Sequence, residues 1–297
     1  MKVSVVVSTY NRPAALDRVL DGLAAQDPPP LEVIVADDGS GPPTAALLAG
    51  RRDPFPVHHA WQPDDGFRLA RVRNLAALRS TGDWLHFLDG DCVPRPGFIE
   101  RIKGLGAPGV ALAGDRILVS RELTERIERE RLPVHAWSFA AWLRERRRGG
   151  INRLLPLAHW PFVAGRGRRS HDWRLLRGAN FGLARADLFA VNGFEESFSG
   201  WGLEDSEFAV RLINQGIALR SARLALGVLH LWHAEQPRES LQRNRELLDA
   251  ARIDRRTRAR RGLAELAAEL AAGQAAEGST ESAGKPPSEA PASARGQ

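Results

Sequence analysis

Trp84-Leu85-His86-Phe87-Leu88-Asp89-Gly90-Asp91 decides how this chain is read. An apolar run bounded by Gly82 predicts a short buried β-strand, and it ends in two aspartates separated by one glycine. Successive strand residues point to opposite faces, so Asp89 and Asp91 are expected on the same side. Gly90 has no Cβ and leaves the backbone open to close approach. Two carboxylates converging at the carboxyl end of a buried strand repel each other unless a cation lies between them. Mg²⁺ or Mn²⁺ takes such oxygen ligands and often shares them with substrate phosphates. The pattern points to a metal–diphosphate site. Asp and Gly are also common turn residues, so an acidic turn is the plain alternative until the surrounding sequence is weighed.

Upstream, Val3 to Val7 is a continuous β-branched run of the kind found in buried parallel strands. It opens the chain as a strand and is too short for the apolar stretch of a leader. The loop Ser8–Pro13 follows, then helical spacing from Ala14 to Ala25 ended by Pro28-Pro29-Pro30. A second strand, Leu31 to Ala36, ends at Asp37-Asp38-Gly39-Ser40. Strand, helix and strand in this order predict a right-handed parallel βαβ unit. Ligands in such sheets bind beyond the carboxyl ends of the strands. Thr9, Asp37 and Asp38 therefore fall at the same edge as Asp89 and Asp91.

Further helices are expected at Pro43–Arg51, Leu69–Ser80 (with Arg71, Arg73 and Asn74) and Gly97–Gly104, with strands at Val57–Trp61 and Val110–Gly114. From Asp115 to Leu176 the pattern changes to charged helix, aromatic residues (Trp137, Phe139, Trp142) and the basic loop Arg166-Gly167-Arg168-Arg169. This stretch reads as a helical basic insertion, 115–176, rather than sheet scaffold. Its Trp/Phe/Arg mixture suits a membrane surface, an acceptor cover or a plain surface subdomain. Strands at Leu176–Leu183 and Ala222–Leu229 and helices at Arg185–Val191 and Ser206–Gln215 resume the scaffold, followed by His230-Leu231-Trp232-His233. One domain over 1–235 is expected. A helical extension follows over 236–272, where Ser240 to Leu270 reads as one or two amphipathic helices. The Ala/Gly/Ser/Pro/Glu-rich tail 273–297 is expected to be disordered.

The 297 residues are 43% hydrophobic, enough for a sizeable core. A single cysteine, Cys92, excludes a disulfide framework and a cysteine zinc cluster. No apolar run reaches the roughly 18 residues of a membrane span. The net charge of +6 is carried mostly by arginine, concentrated between Arg116 and Arg177 and between Arg238 and Arg261. That suggests an anionic partner, whether nucleotide phosphate, membrane surface or nucleic acid, or else a solvated arginine-rich exterior.

Four clusters can carry chemistry: Asp37-Asp38, Asp89/Asp91, Glu204-Asp205 and His230/His233. A metal held by Asp91 and a histidine keeps room for two diphosphate oxygens, and neutral imidazole is a sound ligand for Mn²⁺. Glu204-Asp205 follows Gly200-Trp201-Gly202. Glycines let a loop approach a substrate, and a tryptophan face packs on the apolar face of a sugar. A carboxylate there can act as general base toward a hydroxyl, or it can cap a helix.

Together these motifs resemble the family 2 inverting glycosyltransferases of GT-A fold. The resemblance is carried by Val3–Arg12 (VSVVVSTYNR), Glu32–Ser40 (EVIVADDGS), Arg71–Asn74, Trp84–Asp91 (WLHFLDGD), Gly178–Gly182 (GANFG) and Gly193–Phe208 (GFEESFSGWGLEDSEF). It spans 1–114 and 176–235. The tract Gly200–Asp205 is also similar to the acceptor loop of β-1,4-galactosyltransferases and bacterial chondroitin-type polymerases. The resemblance implies an α/β fold: a mixed, mainly parallel, Rossmann-like nucleotide-binding sheet flanked by helices. It implies that Thr9, Asp37 and Arg73 contact the nucleoside, with Asp37 near uracil. Asn11 and Asp38, in the same two loops, are placed with these donor-binding residues. Asp89 would face ribose or donor sugar, Asn180 the donor-sugar pocket and Trp201 the acceptor. Asp91 would bind the metal with His233 first and His230 second. Asp205 would be the general base and Glu204 would orient the acceptor. The implied reaction is a metal-dependent single displacement from a nucleotide-sugar, a UDP-sugar by family resemblance, to a saccharide or lipid-linked acceptor, with no nucleic acid partner. A cytoplasmic enzyme with peripheral contact at the inner face of the plasma membrane is compatible with a lipid-linked acceptor.

A dinucleotide-binding oxidoreductase should show G-x-G-x-x-G after the first strand, and the loop Ser8-Thr9-Tyr10-Asn11-Arg12 does not. A sugar-nucleotide pyrophosphorylase needs a glycine-rich basic first loop, which is also absent. The alternative outside enzymology is a basic nucleic-acid or membrane-surface binder. It predicts binding that falls steeply with salt and is indifferent to Asp91.

Overall fold

The computed structural model describes residues 1–158, 169–235 and 237–283. In chain order the first half comprises β1 (Val3–Thr9), α1 (Pro13–Ala24), β2 (Glu32–Asp37), α2 (Pro42–Gly50), β3 (Val57–Trp61), α3 (Leu69–Arg79), β4 (Trp84–Asp89), β5 (Cys92–Val93), α4 (Phe98–Leu105), β6 (Val110–Ala113), β7 (Asp115–Leu118), α5 (Arg121–Glu130) and α6 (Phe139–Arg147). The second comprises β8 (Arg169–Ser170), β9 (Asn180–Ala184), α7 (Arg185–Ala190), α8 (Glu204–Asn214), β10 (Ala218–Ser221), β11 (Gly227–His230), α9 (Leu241–Ile253) and α10 (Leu263–Ala283).

Among the described residues, eight strands form the main sheet in the order β3-β2-β1-β4-β9-β6-β10-β8. The pairs β1–β2, β1–β4, β2–β3 and β6–β10 are parallel, while β9 runs antiparallel between β4 and β6. Both faces are covered, which explains the unbroken apolar runs. Val5, Val7, Val33, Val35 and Leu88 belong to a core with α1 and α4, and Val6, Ile34, Leu85 and Phe87 to one with α3 and α8. A second, three-stranded sheet, β5-β11-β7, lies at the site. The mixed, mainly parallel sheet expected from the sequence is the one observed.

Three details differ from expectation. Ala222–Leu229 is not one strand. Leu226 N donates to the carbonyl of Ala222 at 2.8 Å, closing a turn between β10 and β11, so the apolar run reports burial rather than extension. The stretch expected as insertion supplies β7, which pairs in parallel with β11, and β8, which edges the main sheet. The segment after Ser240, expected as one or two helices, is two, broken between Ile253 and Leu263 with Arg255 at φ 49°. The second runs to Ala283, where disorder from 273 is expected, because the Ala/Glu-rich sequence favours helix. Arg166-Gly167-Arg168 and the chain beyond 283 lie outside the described residues.

Candidate active site

β4 ends at Asp89, and Gly90 turns the chain into β5. A Cβ on Gly90 would meet the carbonyl oxygen of Ser8 at 2.6 Å, so only glycine lets this turn lie against β1. The two aspartates are thus presented by a turn between two sheets rather than by one strand's pleat. The loops after β1, β2 and β4 share the edge expected for ligand binding.

Arg73, fully buried on α3, ties this edge together. Its Nε donates to Ser8 Oγ at 3.2 Å, and its Nη2 donates to Asp89 Oδ1 at 3.0 Å and to the carbonyl of Gly178 at 2.8 Å. Its guanidinium lies over the rings of Phe181 and Phe194, 5.8 and 5.6 Å from their centroids. Its Nη1 is 4.0 Å from Glu204 Oε1. Burial pushes the Asp89 carboxyl up, Arg73 opposes this, and the neighbouring charge of Asp91 adds to it.

Asp91 faces both histidines. Its Oδ1 is 3.5 Å from His230 Nε2 and its Oδ2 is 3.7 Å from His233 Nε2. The segment is locked by backbone: Leu231 N donates to the carbonyl of Asp91 at 2.9 Å, and β5 pairs with β11 so that Cys92 opposes His230. His233 Nδ1 pairs with the carbonyl of Ala234 at 2.7 Å, so Nδ1 carries a hydrogen and Nε2 is the ring nitrogen turned to Asp91. Burial, with Arg116 and His233 acting in the same direction, lowers the His230 pKa against the pull of Asp91 and favours its neutral form. One carboxylate and two imidazoles are donors of the kind that first-row divalent ions take, each ring facing a different oxygen of Asp91. The donor set therefore fits a divalent cation such as Mn²⁺ or Mg²⁺. Cys92 joins the cluster: ligand atoms of Asp91, Cys92 and His230 all lie within 4.8 Å of one another.

In the first two loops, Asp37 is fully buried. Its Oδ1 accepts from Ser40 N at 2.7 Å and its Oδ2 pairs with His59 Nε2 at 2.8 Å. Burial works to raise its pKa, but these hydrogen bonds win and hold it below the usual carboxylate range. Each oxygen thus has one partner inside the fold and keeps a further lone pair. Asp38 accepts from Gln62 Nε2 at 2.6 Å and from Arg68 N at 2.8 Å, and burial pushes its pKa up. Thr9 Oγ1 is buried with no hydrogen-bond partner among the described residues. Asn11 adopts φ 50°, accepts from Gly41 N at 2.9 Å and donates its own N–H to Ser40 Oγ at 2.8 Å, pinning the two loops together.

Glu204 and Asp205 open α8 after Leu203, at φ 74°, turns the chain. Asp205 Oδ2 accepts from Gly178 N at 2.7 Å and Oδ1 accepts from the Ser206 hydroxyl at 3.2 Å. Glu204 Oε2 is buried without a partner among the described residues, and burial, reinforced by the charge of Asp205 and opposed by Arg73, pushes its pKa up to about 7. Trp201, on the preceding loop, is 40% exposed, with the Arg238 guanidinium 5.5 Å from its ring centroid. Gly200 N donates to the carbonyl of Phe67 at 3.1 Å and fixes this loop beside α3.

Asn180 is buried and hydrogen-bonded within the fold. Its Nδ2 donates to the carbonyls of Asp115 at 3.1 Å and Leu226 at 2.6 Å, and its Oδ1 pairs with His86 Nε2 at 2.9 Å. Burial lowers the His86 pKa to about 4, so that ring is neutral. With both amide hydrogens used inside the fold, Asn180 has no donor left for a sugar. Sequence reading passed over Arg12, Thr124 and Glu128. Arg12 and Thr124 hydrogen-bond Trp232 in the histidine segment and Glu128 pairs with Arg12; of the three, Arg12, in the loop after β1, stands where the topology could signal it.

A mainly parallel sheet with an acid-lined edge, a carboxylate–histidine centre and a second carboxylate pair on a Gly-Trp-Gly loop defines the GT-A class of glycosyltransferases. Residues 4–176 match the family model for glycosyl transferase family 2, and residues 167–233 match that for the N-terminal domain of galactosyltransferase. The chain belongs to glycosyl transferase family 2. It is 31% identical over 241 residues to validoxylamine A glucosyltransferase of Streptomyces hygroscopicus subsp. limoneus, covering 76% of this chain and 51% of that protein. The chain thus spans about half the length of the curated relatives it matches first. Its fold resembles S. aureus TarS 1-349 in complex with UDP-GlcNAc, with TM-score 0.56, 18% identity and coverage of 90% of this chain and 69% of that one. It also resembles GalNAc-T7 with UDP, GalNAc and Mn²⁺, with TM-score 0.55, 15% identity and coverage of 79% and 44%.

Proposed function

We infer that this protein transfers a sugar from a nucleotide-sugar, a UDP-sugar, to a hydroxyl of a saccharide or lipid-linked acceptor, inverting the anomeric centre. The observation that carries the reading is the junction built by Arg73, which joins Asp89, Gly178 and the Glu204–Asp205 pair beside the Asp91–histidine centre. Donor-side and acceptor-side groups therefore meet at one sheet edge. The ligands of the two structural neighbours, UDP-GlcNAc, and UDP with GalNAc and Mn²⁺, support a UDP donor and a divalent ion.

Asp91, His233 and His230 would hold the ion, which when bound neutralises the diphosphate as a Lewis acid. Thr9, Asn11 and Asp38 line the nucleoside side, and Asp89 faces ribose or donor sugar. Trp201 offers an exposed ring to the acceptor sugar. Asp205 keeps Oδ1, restrained only by the Ser206 hydroxyl, to take the proton from the acceptor hydroxyl. The acceptor oxygen then bonds to the anomeric carbon from the face opposite the diphosphate, whose C–O bond breaks. Glu204, with a pKa near 7 and an uncommitted oxygen, can hydrogen-bond that hydroxyl in either protonation state.

No helix among the described residues is long and apolar enough to cross a membrane. Peripheral contact with an anionic bilayer at the cytoplasmic face is supported by exposed Phe139 beside exposed Arg144, Arg146, Arg147 and Arg148 on and just after α6.

The direct test is UDP release from a panel of UDP-sugars with saccharide and lipid-linked acceptors, with product anomers read by NMR. Turnover with inversion, lost mainly in kcat for Asp205→Asn and mainly in acceptor KM for Glu204→Gln, supports the roles given. A retained anomeric configuration overturns the mechanism.

A further inference from the structure

Arg12 stands where two parts of the site meet. Its Nη1 donates to Asp91 Oδ2 at 2.9 Å, while its Nη2 donates to Glu128 Oε1 at 2.9 Å and to the carbonyl of Trp232 at 3.1 Å. Glu128 comes from α5, and the same helix holds the histidine segment, because the Trp232 N–H donates to Thr124 Oγ1 at 2.8 Å. One half of the guanidinium is thus gripped by a proposed metal-ligand carboxylate, and the other by α5 and the ligand loop itself.

The oxygen that Arg12 engages, Asp91 Oδ2, is the one that faces His233 Nε2 at 3.7 Å. A cation bridging Oδ2 and His233 would place a second positive charge on that oxygen. With the Asp91 side chain only 12% exposed, water screens such a repulsion weakly. The second anchor does not compete for Oδ2, so Nη2 can stay in place while Nη1 leaves. The planar fork of arginine suits this division, since its N–H groups address two partners at once and match phosphate oxygens.

We propose that Arg12 is the internal counter-cation of Asp91: it yields Oδ2 to the divalent ion, stays tethered through Nη2 to Glu128 and Trp232, and turns the freed Nη1–H to a diphosphate oxygen of the donor. The proposal rests on the metal–diphosphate reading of the site. Arg12 opposes the metal when the metal binds alone and assists the nucleotide once the metal is in place. Removing its charge therefore moves the two affinities in opposite directions, which a residue that merely orients Asp91 cannot do.

The test uses the full chain and two readouts. Binding of Mn²⁺ alone is followed by the electron-paramagnetic-resonance signal of the free ion, and binding of UDP at saturating Mn²⁺ by calorimetry. Arg12→Gln is expected to bind Mn²⁺ on the order of tenfold more tightly and UDP roughly tenfold more weakly, the size of one charge-assisted hydrogen bond. Glu128→Gln, which leaves Arg12 with Asp91 as its only charged partner, is expected to weaken Mn²⁺ binding. Arg12→Gln weakening both ligands, or leaving Mn²⁺ affinity unchanged, overturns the proposal. Wild-type protein and Asp91→Ala run alongside. If wild type shows no Mn²⁺-dependent UDP binding, the underlying reading fails; if it does and the opposed shifts are absent, only the Arg12 proposal fails.

Discussion

Replacing Glu204 with glutamine should stabilise the protein at alkaline pH while impairing the enzyme. Glu204 Oε2 is buried without a partner among the described residues, and the nearest cationic group paired with this side chain, Arg73 Nη1, stands 4.0 Å from Oε1. Burial first, and the charge of Asp205 second, raise its pKa from 4.5 to about 7. The folded state therefore holds a proton that the unfolded chain has released, so stability falls as pH rises through the window from 4.5 to 7. At about 1.4 kcal/mol per unit of pKa shift, the loss approaches ~3 kcal/mol at its upper end, since coupling to Asp205 and entry of water both reduce it. Glutamine keeps the shape and cannot ionise. The stability difference between Glu204→Gln and wild type should thus be small near pH 4.5 and grow to about 2–3 kcal/mol by pH 8. Urea unfolding of both proteins across that range measures it. A difference that does not change with pH would refute the argument, because it would mean that Glu204 titrates alike folded and unfolded.

Asn180→Asp should lower stability by about 3 kcal/mol, seen as a fall in Tm, because it removes two buried N–H donors and sets a carboxylate against the carbonyls of Asp115 and Leu226. Trp201→Ala should raise the KM for a saccharide acceptor severalfold and leave the Kd for UDP unchanged, since the ring is exposed on the acceptor-side loop. An equal loss in both would place Trp201 with the donor instead.

The sheet was legible where local pattern and tertiary burial agree. Val3–Val7, Leu31–Ala36 and Trp84–Leu88 are predominantly apolar because both faces of the sheet are covered, and their carboxyl ends share one edge by topology alone. Asp91 and His233 could be set together from sequence through the D-G-D turn and the resemblance of His230-x-x-His233 to a metal-binding segment, and they face each other at 3.7 Å. Reading failed where a side chain's role depends on partners far along the chain. The partners of Asn180 and Asp37 inside the fold, Asp115, Leu226 and His86 for the first and Ser40 and His59 for the second, could not be read from local sequence. Arg12 meets Asp91, Glu128 and Trp232 at separations of 79, 116 and 220 positions, which no local spacing encodes. The charged stretch after Gly114 concealed β7 because Asp115-Arg116-Ile117-Leu118 buries only Ile117, and its parallel pairing with β11 is set by the small sheet rather than by propensity.

The account stands most directly on whether Asp91 couples a divalent ion to the nucleotide. Calorimetric titration of UDP into wild type and Asp91→Ala, each with and without Mn²⁺, measures that coupling. The account predicts UDP binding that requires Mn²⁺ in wild type and is lost in the variant. Binding indifferent to Mn²⁺, or preserved in Asp91→Ala, would contradict it.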